Sequence, residues 1–189
     1  MFAALLDTNV LWPGLRRDFL LSLAIEGLYR PLWSEVILEE LEYEEAEKLR
    51  KRGEDGPERR AAHLTRQLRT HFEDAIVRGW EQLSPFGLPD PDDEHVLAAA
   101  VVGGAGALVT ENVKDFPRAR VPAHIEILRA ADFARDAVSV DPQRAAQAME
   151  AMASRRSGQT PQVLADLLQQ RYAMHEAVAM LRDILGGTA

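Results

Sequence analysis

Cysteine is absent from the 189 residues, which excludes disulfides, zinc–thiolate sites and thiol nucleophiles. Long hydrophobic runs are missing as well. The longest apolar stretch, residues 96–108, is broken by glycines, and no window offers the roughly twenty uncharged apolar residues that span a bilayer. The amino terminus meets a carboxylate at Asp7 and lacks the basic segment of a signal peptide, so no membrane association and a cytoplasmic location are expected. Basic groups are in the minority: 22 Lys and Arg face 30 Asp and Glu, for a net charge of −8. Net charge alone therefore speaks against nucleic acid as a partner, because an acidic surface repels phosphate.

Read by position, the charge says something else. Seven acids and no base fall between residues 35 and 47, whereas residues 48–69 carry eight Lys and Arg against three acids. That basic segment is either a solvated helical hairpin or a phosphate-binding rim, with Arg50, Lys51, Arg52, Arg59 and Arg60 as the phosphate-contacting candidates.

The hydrophobic pattern predicts an α/β fold. Phe2 to Leu6 reads as a buried strand that stops abruptly at Asp7-Thr8-Asn9. A helix follows over 14–27, a short strand at Pro31–Trp33, and a long helix from the cap Ser34 to about Arg52. A third helix is expected over 58–80, with Ala62, Leu64, Leu68, Phe72 and Ile76 inward. After Pro89-Asp90-Pro91 comes a nearly all-apolar helix (Val96 to Val102), ended by glycines. Strands at 107–109 and 124–128 and a short helix through Ala137 complete an open parallel sheet flanked by helices. Asp141-Pro142 and Thr160-Pro161 then open two helices, read as a hairpin appended to the sheet domain. The expected division is 1–137 for the α/β domain and 138–189 for a helical C-terminal extension.

Sites in open α/β sheets form beyond the carboxyl ends of the strands, where Asp7 and Thr110 fall. Asp7 ends a buried strand, so it is a loop cap or a ligand. Asp93 belongs to the first turn of a buried helix, with Val96 and Leu97 turning its face inward; Asp92 suits the purely helix-stabilising role better. Among the seven acids of 35–47, Glu40 has Val36, Ile37 and Tyr43 as helical neighbours, which puts it at the edge of the buried face, and the other six read as solvated. Asp115 follows the second site-facing strand and is aimed back by the anchor Phe116, with Thr110 and Asn112 adding neutral oxygens. Such carboxylates cannot share a cleft unneutralised. Oxygen donors without cysteine or a histidine pair favour Mg²⁺ or Mn²⁺.

At these residues the sequence resembles a known family. Leu5-Leu6-Asp7-Thr8-Asn9-Val10, Ser34 to Leu41, Asp92-Asp93-Glu94-His95-Val96-Leu97-Ala98-Ala99-Ala100 and Leu108 to Phe116 are similar to the successive motifs of PIN-domain ribonucleases, in particular the VapC-type toxins of toxin–antitoxin pairs. The resemblance covers about residues 1–135. It implies a PIN-like parallel sheet, an Mg²⁺-dependent endoribonuclease acting on RNA, a homodimer, and inhibition by a cognate antitoxin. Asp7, Glu40 and Asp93 match the family's catalytic, metal-binding acids. For the fourth acid the family offers two places: members often carry aspartate where this chain has Asn112, which could bind through its carbonyl, and others use a later acid, which matches Asp115. Thr8, Asn9 and Thr110 match polar positions that support the acids. A longer subfamily carries a helical C-terminal extension, and this chain is similar to it in arrangement.

Other signals carry less. His63, His71, His95, His124 and His175 show no metal spacing and are expected to be solvated or hydrogen-bonded. The glycines at 103–106 end a helix, since no Lys-Ser/Thr follows to make a phosphate loop. Met149, Met152 and Met174 read as core fillers. Two other readings accompany the nuclease: a non-catalytic PIN-like module that only binds a partner protein, and another metal-dependent phosphoester hydrolase. The second is disfavoured in its aspartate-nucleophile form, because no second aspartate stands two residues after Asp7.

Overall fold

The structure is a computed structural model that describes residues 2–83 and 85–186. In chain order its elements are β1 (Ala3–Leu6), α1 (Thr8–Leu11), α2 (Gly14–Ile25), β2 (Arg30–Ser34), α3 (Glu35–Lys51), α4 (Pro57–His71) and β3 (Ile76–Val77). They continue with α5 (Glu94–Val102), β4 (Ala107–Val109), β5 (Glu126–Leu128), α6 (Ala130–Val140), α7 (Pro142–Ser154), α8 (Pro161–Tyr172) and α9 (His175–Leu185). The chain folds into two compact units, one of Phe2–Trp12 with Pro31–Ile127, the other of Pro13–Arg30 with the segment from Leu128 onward.

The first unit is built on a five-stranded parallel sheet of order β3-β2-β1-β4-β5. β1 and β4 pair through Ala4–Ala107, Leu5–Leu108 and Leu6–Val109. Both strands are buried along their whole length, which is why they read as continuous apolar runs without alternation. Strand order runs one way from β1 to β2 and β3 and the other way from β4 to β5. The gap beyond the carboxyl ends of β1 and β4 is therefore the topological switch point, where side chains can enter from both strands. α5 is short and apolar on nearly every side because it lies buried, with Val96 to Ala100 removed from water.

Local sequence explains most element boundaries. Ser34 caps α3 by accepting a hydrogen bond from the Ile37 amide at 3.2 Å. Asp90 caps a 3-10 turn, Pro91–Asp93, by accepting from the Asp92 amide at 3.0 Å, and α5 begins directly behind it. Two elements escaped the sequence reading. α1, one turn, follows Asp7 at once. The third predicted helix ends at His71, not Trp80: Phe72 leaves helical geometry at φ −131°, ψ 59°, and its ring packs edge-on against Trp33 at 5.6 Å. Ile76 and Val77 then pair with Trp33 and Ser34 as β3. Two adjacent β-branched residues gain more by completing a sheet edge than by prolonging a helix. The buried positions of α4 are accordingly Ala61, Thr65 and Leu68.

Gly103 ends α5 at a place where no side chain fits. A Cβ there would stand 2.8 Å from a Leu32 methyl and 2.9 Å from a Val77 methyl. Gly103→Ala is expected to destabilise the protein by about 1–3 kcal/mol through overpacking, read as a lower urea midpoint at unchanged slope.

The second unit is helical. α2 packs on α7, α6 on α9, and α9 also on α7 and α8. Its core includes Phe19, Leu20, Leu23, Tyr29, Phe133, Met149, Met152, Leu164, Leu168, Met174 and Leu181. Tyr29 meets the Phe133 ring edge-on at 4.7 Å and donates its hydroxyl to the Leu20 carbonyl at 3.0 Å. Asp141 and Thr160 cap α7 and α8 through the Arg144 and Val163 amides, as their Asp-Pro and Thr-Pro pairs predict. The expected hairpin is, however, three helices. The chain breaks at Ala173, in the left-handed region at φ 54°. The cause is a change of phase in the apolar stripe: an unbroken helix carrying Leu164 and Leu168 inward would next bury His175 and Ala179, whereas the break buries Met174, Val178 and Leu181.

Candidate active site

Beyond the carboxyl ends of β1 and β4 lies an open cavity of about 330 Å³ lined by Asp7, Thr8, Asn9, Trp12, Glu44, Asp93 and Asn112. Each element delivers its part for a simple reason. Asp7 is the first residue after β1, its amide bound to the Val109 carbonyl at 3.0 Å, so strand pairing itself fixes its position. One carboxylate oxygen of Asp7 accepts from the Thr110 hydroxyl at 2.7 Å and also from the Asn9 amide. The Asn9 side chain reaches the Thr110 hydroxyl at 3.1 Å as donor and accepts from the Glu111 amide at 3.0 Å. The Thr110 oxygen further accepts from the Asn112 amide at 3.0 Å. Asp7, Asn9 and Thr110 thus tie the two strand ends together.

Glu40 sits half-buried on α3, where its helical neighbours placed it. One oxygen accepts from Thr8 and the other from His95 Nε2 at 3.0 Å. Ile37 beneath it is fully buried, but Tyr43 is 65% exposed and does not shelter it.

The electrostatics are those of a cleft short of positive charge. Burial pushes the Asp7 carboxyl above its ordinary range, against the opposing hydrogen bonds from Thr110 and the Thr8 amide. Asp93 is pushed up to about 6, first by burial and then by the charges of Asp7, Asp90 and Asp115. For Glu40, burial also acts upward, but hydrogen bonds from His95 and Thr8 outweigh it and hold the carboxyl below the usual range. Asp115, in the 3-10 turn Val113–Asp115, lies near enough for its charge to act on Asp93, and Phe116 behind it is buried as an anchor.

These donors fit a hard divalent cation. All are oxygens, and two raised carboxylates face one cavity without a basic side chain among its described lining residues. Among the described residues, no three acidic or histidine side chains already converge into a closed cage. Mg²⁺ does not need one, since it keeps several waters and is held by one or two carboxylates.

Three residues at the site were not singled out by sequence. His95 is hydrogen-bonded, as expected of the histidines, but its partner is a candidate catalytic acid. Its Nδ1 is buried without a hydrogen-bond partner among the described residues, and its ring lies 5.9 Å from that of Trp80. Glu44, read as part of the solvated face, lines the cavity one helical turn after Glu40, and that i+4 spacing was the available signal. Trp12 also lines the cavity, and only the tertiary structure brings it there.

The basic segment is partly self-neutralised. Arg50 pairs with Glu47 and Glu58, and Arg60 with Glu54. Arg59 and Arg60 line, with His63 and Arg66, a separate concavity of about 440 Å³ on α4. Lys51 and Arg52 lie at the exposed end of α3.

A sheet whose strand order reverses beside an aspartate, with further acids from two helices and a fourth near the next strand, defines a candidate phosphoester-cleaving class. Family comparison agrees with that arrangement. The PIN domain family matches residues 3–114, more than half of the chain, and the protein belongs to it. PIN domains are typically metal-dependent nucleases and generally bind a divalent metal. No curated protein and no solved structure matches the chain. Among the described residues, no helix is long and apolar enough to cross a membrane.

Proposed function

We propose that this protein is an Mg²⁺-dependent endoribonuclease (Mn²⁺ being a usable substitute) and the toxin of a toxin–antitoxin pair. The observation that carries the nuclease reading is the pair Asp7 and Asp93 on the wall of one cavity at the switch point, both pushed toward protonation, first of all by burial. Asp7 and Asp93 would hold the ion directly. Glu40, fixed by Thr8 and His95, and Asp115, beside Asp93, would complete the site. A divalent ion bound there supplies Lewis-acid stabilisation of the phosphate and a more acidic water. The chain's own share is positional: Asn9 and Thr110 orient Asp7, and the buried floor of the cavity excludes bulk water from its carboxylate.

The toxin assignment rests on the sequence resemblance, and with it a homodimer and a cognate antitoxin. A cleft of uncompensated carboxylates suits an antitoxin that presents basic side chains, by charge complementarity. Arg59, Arg60, His63 and Arg66 supply a basic surface suited to the phosphate backbone of RNA, with Lys51 and Arg52 as further contacts.

The test is direct. Purified protein is incubated with structured RNA and Mg²⁺, with and without EDTA, beside Asp7→Asn and Asp93→Asn. Internal cleavage that EDTA abolishes and both variants lose is expected. Cleavage surviving both substitutions, or none across a broad set of RNAs, overturns the reading.

A further inference from the structure

The carboxylate cavity has an aromatic edge. Trp12 follows α1 directly, and although Val10 and Leu11 before it are fully buried, Trp12 remains 36% exposed and lines the same cavity as Asp7 and Asp93. The Lys48 ammonium, delivered by α3, stands 5.6 Å from the centre of the indole ring. It also pairs with Glu45, which compensates its charge and fixes it against the ring. Burying an indole is strongly favourable, and a tryptophan left at the mouth of a polar cleft forgoes part of that gain.

We infer that Trp12, its ring held from one side by Lys48, forms a nucleotide subsite beside the reacting phosphate, with the indole stacking on an unpaired base. The inference rests on the nuclease reading and deepens it by naming a side chain of this protein that would contact the nucleotide beside the scissile bond. In a duplex each base is already stacked on its neighbours and presents no face to an indole, whereas bases of loops and single strands can be splayed onto one. Stacking is tolerant of sequence because every base has a π-face, so the subsite selects strandedness before base identity. It also explains how an acidic cleft acquires a polyanion. Affinity enters through the ring at the rim, while the carboxylates stay free for metal. A surface pair that merely stabilises the fold would affect melting and leave affinity alone.

The experiment uses the full-length chain carrying Asp7→Asn to suppress cleavage, with a short labelled oligoadenylate in Mg²⁺ and anisotropy as the readout. Adding Trp12→Ala is expected to weaken binding about ten-fold, and Trp12→Phe within about two-fold, the duplex of the same sequence binding no better than the Trp12→Ala variant binds the single strand. Tryptophan emission provides a second measurement that does not depend on the alanine variant folding. Oligoadenylate should quench it in the parent, an abasic ribose-phosphate oligomer should not, and Trp12→Phe should remove the quench although Trp33 and Trp80 remain. Equal affinity of parent and Trp12→Ala, or quenching that survives Trp12→Phe, overturns the subsite and leaves the nuclease reading intact. If neither single-stranded nor duplex RNA binds the parent, the nuclease reading falls, and the subsite with it.

Discussion

Asp93→Asn is expected to make the metal-free protein more stable while reducing RNA cleavage by about 100-fold or more. Both effects have one cause. Asp93 is partly buried and faces the charges of Asp7, Asp90 and Asp115, so its ionised form is disfavoured in the folded state. Its carboxyl is raised from an ordinary 3.8 to about 6. A raised acid binds its proton more tightly when folded. The stability linked to it is fully present below pH 3.8 and is lost as pH rises through about 6. Asparagine has no proton to lose, so the gap between variant and wild type should be small at pH 4 and should open by pH 7. Solvent reaches much of the Asp93 side chain, and screening limits the gain to about 1 kcal/mol. Mg²⁺ should raise the melting temperature of the wild type at pH 7 and do so far less for Asp93→Asn, because a ligand that binds only the native state stabilises it by mass action. Thermal melts at the two pH values, with and without Mg²⁺, check all of this. A variant less stable than wild type at pH 7 without metal would show that Asp93 serves the fold, not the site.

The second large effect concerns the carboxyl-terminal helices. A chain ended after Ala137 is expected to be insoluble or to lose cooperative unfolding. α7 covers α2, and α9 covers α6, so the truncation uncovers apolar faces that include Phe19, Leu20, Leu23, Phe133 and Ala134. It also frees Asp18 from Arg155 and Arg156, the nearer contact being 2.7 Å. α2 lies between β1 and β2 in the chain, so its loss of cover exposes a long apolar segment between two strands of the sheet. Exposed faces of that kind aggregate. Size-exclusion chromatography and a thermal melt of the shortened chain decide the matter. A monodisperse product with the melting temperature of the full chain would contradict it.

Much of the site is legible without coordinates, and the particulars show why. A strand that is apolar to its end and then stops at Asp7 can only place that carboxylate where strands finish. Helical spacing puts Ile37 beneath Glu40, but it does not separate Glu40 from all six neighbouring acids, since Glu44 one turn later lines the cavity as well. The partner of His95 is not legible in the same way. Its contact with Glu40 joins residues fifty-five positions apart, and no local periodicity encodes which face of α5 meets which face of α3. β3 was hidden for a related reason. Two residues gain strand character only from the neighbour they pair with, here Trp33 and Ser34.

The sequence by itself determined the α/β class, the strand ends that carry Asp7 and Thr110, the caps at Ser34, Asp141 and Thr160, and membership of the PIN domain family. Those features are set within a few residues of chain, by burial pattern, capping chemistry and helical spacing. The tertiary structure decided that α2 joins the helical unit, that His95 and Thr8 hold Glu40, and that Trp12 with Lys48 stands at the edge of the carboxylate cavity. Each of these brings together groups far apart in the chain, and such contacts are chosen by packing free energy summed over the whole core, which no short window of sequence contains.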